Sequence, residues 1–157
     1  MTSLNILKQL SNTAESDECY TPSDQVQPLL EYLDKDKTYY EATSGKSSNI
    51  LDGFNKYGYN IVGSDEKDFF DCTVTDVYDG IITNPPYSLK DKFIKHCYDL
   101  GKPFALFLPV ASFQGKRRGQ MFMEHGMSAL VYNNRVDFTG GGSPMFGNAW
   151  FIHGFLP

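Results

Sequence analysis

Little in this chain would staple it together from outside its own core. It has three cysteines, Cys19, Cys72 and Cys97, an odd number with no C-x-x-C pair. That argues against a disulfide framework or a thiolate zinc site and fits a reducing cytoplasm. The three histidines, His96, His125 and His153, are equally scattered, so no metal site is expected. No apolar run approaches the about 20 residues of a membrane span. Residues 1–10 lack the basic start and apolar core of a signal peptide. A cytoplasmic protein without a membrane partner is the expectation. A basic excess is missing too: 14 Lys and Arg stand against 19 Asp and Glu, a net charge of −5. Phosphate contacts supply most non-specific nucleic-acid affinity, so this balance argues against tight autonomous DNA binding and leaves only a local patch for it. There is no internal repeat, low-complexity tract or linker. The 157 residues therefore read as a single domain, residues 1–157, with residues 1–18 as a polar lead-in and no stretch for a separate target-recognition domain.

The patterning is that of a doubly wound α/β domain. Thr38–Ala42 reads as a strand, 43–48 as a loop of small residues, and Ile50, Leu51, Phe54 and Tyr57 as one face of a helix. Tyr59–Asp65 reads as a second strand ending on an acid, with a further short strand suggested near Thr73-Val74. Gly80–Thr83 is a third strand. Phe93, Ile94, Cys97 and Leu100 mark a helix closed by Gly101. Phe104–Leu108 is a continuous apolar run, as expected of a strand covered on both faces. Gly115–Gly119 reads as a basic loop, Met121 and Phe122 as part of a short helix ending near Gly126, and Ala129–Tyr132 and Ala149–Ile152 as the last strands, with a loop at 140–144 between them. Ahead of all this, Pro22, Ser23 and Asp24 open a helix carrying Val26, Leu29, Leu30 and Leu33, begun late or kinked by Pro28. Alternating strands and helices predict a mainly parallel sheet with helices on both faces. Ligands in such sheets bind beyond the carboxyl ends of the strands.

One stretch at such an end carries most of the chemistry. Asn84-Pro85-Pro86-Tyr87 follows the buried run Gly80-Ile81-Ile82-Thr83. Two prolines continue neither a sheet ladder nor a helix interior, and the residue before a proline is held extended. The Asn84 side-chain oxygen and the Pro85 carbonyl thus form a rigid pair of acceptors beside the Tyr87 ring, a geometry suited to a planar amine. On composition alone the same residues also make an ordinary Pro-Pro turn. Glu41 to Ser47 is a strand end, an acid, a small loop and a helix start. Gly45 allows close backbone approach to a ligand, and the helix start offers unpaired N–H groups. It is not a phosphate loop, because Tyr40 stands where the first glycine of a P-loop would be. A plain strand-to-helix turn looks the same. Asp65, roughly 20 residues beyond the glycine turn, is placed either to accept ribose hydroxyls or to cap the turn. Tyr20-Thr21-Pro22 reads equally as a helix start. Lys116-Arg117-Arg118 is a short basic run that suits a phosphate backbone or simply a solvated face.

Asn84-Pro85-Pro86-Tyr87 resembles the catalytic motif of the S-adenosylmethionine-dependent amino methyltransferases, above all the N6-adenine DNA methyltransferases, and looks closest to their small bacteriophage-encoded members. The resemblance implies a Rossmann-like class I methyltransferase fold with an antiparallel last strand, S-adenosyl-L-methionine as cofactor, adenine-containing DNA as partner, and a bacterial or phage-infected cytoplasm. It makes Asn84, Pro85, Pro86 and Tyr87 catalytic. Glu41 and Gly45 take the place of the first cofactor motif, with Ala42 and Ser47 standing where the family usually has proline and glycine. The ribose goes to Asp65, and the cofactor adenine to Asp68 and Phe69, with Asp71 as a competitor of Asp68. Tyr20 and Thr21 take the cofactor carboxylate, and Asn84 borders the cofactor as well. Arg135, within Asn134–Phe138, and Phe146, within Phe146–Trp150, resemble the family's substrate side, which Lys116, Arg117 and Arg118 would extend. Without a recognition domain, low sequence specificity, single-stranded targets or a homo-oligomer are expected. Two alternatives stay open: the same chemistry on RNA adenine or a protein glutamine amide, and a non-catalytic module that binds cofactor or a partner with a worn first motif.

Overall fold

In a computed structural model, residues 23–45, 48–65, 67–73, 75–132 and 147–156 are described. Six strands form one sheet: β1 (Thr38–Glu41), β2 (Asn60–Gly63), β3 (Gly80–Thr83), β4 (Phe104–Pro109), β5 (Ser128–Val131) and β6 (Asn148–His153). Their spatial order is β2-β1-β3-β4-β6-β5. The pairs β1–β2, β1–β3 and β3–β4 are parallel, whereas β6 lies antiparallel between β4 and β5. The chain moves outward from β1 to β2, returns to the other side of β1 at β3, and then moves the opposite way to β4. The strand order therefore reverses between β1 and β3. This is the doubly wound α/β, Rossmann-like architecture expected, including the antiparallel last strand.

Alternating side chains send each strand's apolar residues to two separate layers. Tyr40, Ile81, Phe104, Leu106, Leu108 and Phe151 meet one face's helices, α3 (Lys90–Leu100) through Phe93, Ile94, Cys97 and Leu100, and α4 (Lys116–His125) through Met121 and Phe122. Tyr39, Ile82, Ala105, Phe107, Trp150 and Ile152 meet the other face's helices, α1 (Gln27–Leu30) through Leu29 and Leu30, and α2 (Asn49–Lys56) through Ile50 and Phe54. Burial on both faces is why β3 and β4 read as unbroken apolar runs. Trp150 is fully buried, and its indole N–H donates to the Gln25 carbonyl at 3.1 Å and contacts the Tyr132 hydroxyl at 2.8 Å. That satisfies the one polar atom of a large apolar ring.

Three expectations change. Residues 116–119 are not a basic loop but the first turn of α4. Lys, Arg, Gln and Met are all strong helix formers, and Gly115 ends the preceding extended residue, so the lone Gly119 does not stop the helix. The second strand ends at Gly63, two residues before Asp65, which sits in a left-handed turn at φ 51°. Thr73 lies outside any strand, while Val74 is outside the described residues. The helix foreseen around Pro28 begins as a 3₁₀ turn, Ser23–Val26, and becomes α-helical only where proline can occupy the first positions. The lead-in 1–18 and the loop at 140–144 lie outside the described residues. No helix among the described residues is long and apolar enough to cross a membrane.

Candidate functional site

In doubly wound sheets the ligand crevice lies beyond the carboxyl ends of the strands that flank the reversal, here β1 and β3, and the two segments singled out in the sequence both leave the sheet there. Glu41 is the last residue of β1 and only 1% exposed. Its Oε1 accepts from the Thr43 backbone N–H at 3.0 Å, the Thr43 hydroxyl at 3.2 Å and the Thr83 hydroxyl at 2.5 Å. Burial pushes the carboxyl above its ordinary range, opposed by the hydrogen bonds from Thr83, Thr43 and Ser48. Thr83 is the last residue of β3 and fully buried. Thr43 Oγ1 also lies 2.7 Å from Thr83 Oγ1 and 3.2 Å from the Asn84 carbonyl oxygen, to which it donates. A single hydroxyl proton thus faces three oxygens, and those oxygens belong to the acid of one loop and to the strand end and asparagine of the other.

A second hydroxyl pair ties the β1 loop to the β2 loop. Ser64 N–H donates to Ser44 Oγ at 2.8 Å, Gly45 N–H donates to Ser64 Oγ at 3.0 Å, and the two hydroxyls are 3.3 Å apart. Gly63 permits this approach, since a Cβ there would fall 2.6 Å from Ser44 Oγ. Among the described residues, no atom beyond its chain neighbours lies within 4 Å of where a Cβ on Gly45, at φ +54°, would be. Gly45 is therefore held from behind through its N–H and open in front. Asp65 is exposed beside it. Asp68 is exposed and caps the 3₁₀ turn Phe69–Asp71, accepting from the Phe70 N–H at 2.9 Å. Phe69 is buried, its ring stacked on Phe93 with centroids 4.8 Å apart. The open front at Gly45 and the exposed Asp65 fit a nucleoside-bearing cofactor, with Glu41 supporting the loop from beneath.

On the β3 side, Pro85 is buried and Asn84, Pro86 and Tyr87 are half-buried. Tyr87 opens a 3₁₀ turn, Tyr87–Leu89, that runs directly into α3. Lys90 Nζ donates to the Tyr87 carbonyl at 3.1 Å. The phenol oxygen accepts from Asn148 Nδ2 at 2.8 Å.

The basic run divides in two. Arg118 reaches inward: Nη1 pairs with Asp91 Oδ1 at 2.6 Å, Nε donates to the Ser112 carbonyl at 2.8 Å, and Nη2 donates to the Gln114 carbonyl. It braces α4 and the segment after β4 against the first turn of α3. Lys116 and Arg117 are exposed. Tyr20, Thr21, Ser47, Arg135 and Phe146 lie outside the described residues.

Sequence reading missed the hydroxyls. Thr43, Thr83, Ser44 and Ser64 each stand at or just past a strand end, within two positions of a residue that was singled out. That position was the available signal. Among the described residues no group of three His, Cys, Asp or Glu side chains could hold a metal ion.

No protein-family model matches the chain, and no curated protein matches it. Solved structures similar to it include precorrin-6y C5,15-methyltransferase from Geobacter metallireducens GS-15, 13% identical, TM-score 0.43, over 82% of this chain and 86% of that one. Another is a protein from Thermoplasma acidophilum assigned as a methyltransferase, 15% identical, TM-score 0.31, over 73% of this chain and 54% of that one.

Proposed function

We propose that this protein is an S-adenosylmethionine-dependent methyltransferase acting on the N6 amino group of adenine in DNA. One observation carries the proposal: Asn84-Pro85-Pro86-Tyr87 leaves β3 where the strand order reverses, linked through Thr43 to the acid that ends β1. When bound, the cofactor supplies a methyl group on a positively charged sulfur. The Gly45 loop would border its methionine part, Asp65 would take its ribose, and Asp68 its adenine, as the resemblance implies. The roles of Tyr20 and Thr21 at its carboxylate follow from the resemblance.

An exocyclic adenine amine is a weak nucleophile because its lone pair is delocalised into the ring. The Asn84 side-chain oxygen and the Pro85 carbonyl accept its two N–H groups, turn the lone pair toward the methyl, and stabilise the positive charge that develops on nitrogen. The two prolines keep these acceptors from moving as charge develops. Tyr87 stacks on the base, which leaves a duplex by flipping. Lys116 and Arg117 meet phosphates; the substrate roles of Arg135 and Phe146 follow from the resemblance. A second copy of the chain would extend a grip that a net charge of −5 leaves weak.

A second reading keeps the chemistry and moves it to RNA adenine or to a protein glutamine amide. The acidic balance and the inward commitment of Arg118 favour it. Transfer of labelled methyl from S-adenosylmethionine to unmethylated DNA, RNA and glutamine-bearing protein separates the two. Label recovered as N6-methyladenine in DNA is the expected result. Label only in RNA or protein moves the assignment. No transfer together with no calorimetric cofactor binding at millimolar concentration leaves a non-catalytic module.

A further inference from the structure

Asn148 is a buried amide at the head of a mostly apolar strand. It is 3% exposed and is followed by Ala149, Trp150, Phe151 and Ile152, all buried. A polar side chain at such a place is costly unless its hydrogen bonds are made. Among the described residues its Nδ2 donates to the Tyr87 hydroxyl, 61 positions earlier in the chain. Asn148 reaches it because β6 runs antiparallel. A parallel strand would bring its last residue to the carboxyl edge of the sheet, whereas β6 brings its first. Asn148 pairs with Pro109, the last residue of β4, and the neighbouring Gly147 carbonyl accepts from the Val110 N–H at 2.8 Å. The start of β6 is thereby fastened to the end of β4, and the Asn148 amide points from that fixed base at the phenol of the motif.

We infer that Asn148 is a positioning residue for substrate: by holding the Tyr87 hydroxyl it fixes the ring on which the target base stacks. The inference rests on the function proposed above. Tyr87 is tethered at both ends. Its backbone carbonyl takes the Lys90 ammonium, and its hydroxyl takes the Asn148 amide. A half-buried ring with a free tip turns about its first two side-chain torsions; one held at the tip keeps a single plane. The base enters a prepared slot rather than ordering the ring on arrival, and the gain falls on substrate binding.

The test is a double-mutant cycle of Asn148→Ala and Tyr87→Phe, read by steady-state methyl transfer to adenine-containing DNA. Tyr87→Phe keeps the ring and removes the same bond from the other end, without leaving a gap beneath β6. Each single change is expected to raise KM for DNA about fivefold, the ratio a single neutral hydrogen bond carries. The KM for S-adenosylmethionine should hold, and the double variant should be no worse than either single one. A general loosening of the sheet would move both KM values and add to the Tyr87→Phe effect, and that result overturns the inference. So does an Asn148→Ala variant that folds and retains the wild-type KM for DNA. Carbon-13 labelling of tyrosine rings supplies a readout independent of turnover: the Tyr87 Cζ resonance should shift in Asn148→Ala, and an unmoved resonance also overturns the inference. If wild-type protein methylates only RNA or protein, the proposed DNA function fails, and the same cycle is read on the substrate found. If it methylates nothing, the function and the positioning role fall together.

Discussion

The two sides of the crevice are built from different materials. The β1–β2 side is a lattice of hydroxyls around a carboxylate: Thr43, and Thr83 reaching across from the end of β3, converge on Glu41, and Ser44 and Ser64 cross-link the loops. The β3–β4–β6 side uses prolines, a ring and two long-range side chains, Asn148 on Tyr87 and Arg118 on Asp91. On the first side a titrating group stands at the centre. On the second the geometry is set by covalent rings and neutral or permanently charged donors. The first side therefore answers to pH, and the second to shape.

That contrast is open to attack. The largest effect is expected from Asn84→Ala, which should lower methyl transfer by about a hundredfold or more while calorimetric affinity for S-adenosylmethionine stays within about twofold. Equal losses in both would erase the distinction between the sides. Next is Thr83→Val, which keeps shape but strips a buried carboxylate of its shortest hydrogen bond. Urea unfolding should show a loss of about 1–3 kcal/mol, with Thr83→Ser retaining most of the wild-type value. Arg118→Ala should cost about 1–2 kcal/mol, because an inward guanidinium is removed from an acid and two carbonyls together. Lys116→Ala and Arg117→Ala should leave stability within about 0.5 kcal/mol and flatten the salt dependence of DNA binding, by about 0.9 in log–log slope for each phosphate that the variant no longer neutralises. The smallest effect concerns Glu41. A carboxyl raised in the folded state binds its proton more tightly there than in the unfolded chain. It therefore contributes stability that is fully present below the unfolded value of 4.5 and is lost as pH rises toward the raised one. Wild-type melting temperature should decline over that interval relative to Glu41→Gln, and parallel curves would show that burial does not shift the group.

Much of this was legible in the order of residues. The apolar runs at 80–83 and 104–108 declared strands covered on both faces, and two prolines after Asn84 declared where β3 must stop. The acid at Glu41 and the glycine at Gly45 marked the other loop. What escaped was lateral. Thr83 looks like the last residue of a strand until β1 is laid beside it, and only then does its hydroxyl meet Glu41. Arg118 reads as one of three surface cations because Asp91 is brought near only by the packing of α4 on α3, and the carbonyls of Ser112 and Gln114 only by the turn that leads into α4. The misplaced basic loop at 116–119 had a local cause: charge density was weighed over helix propensity.

The position of β6 has a consequence for how the molecule comes into being. Of the six strands it is made last, yet it fills the sheet between β4 and β5 rather than adding to a margin. As the chain leaves the ribosome, β4, five of whose six residues end up wholly buried, waits with one edge unpaired until residues 148–153 appear. Such an edge invites pairing with any other extended chain, and the contact that closes it must join residues far apart in the chain, from Pro109 with Asn148 to Phe104 with His153, which slows folding. The Tyr87 tether arrives in the same event. Sheet closure and the final setting of the site are one step, and a nascent chain halted before Asn148 would carry its whole motif without the residue that holds its ring.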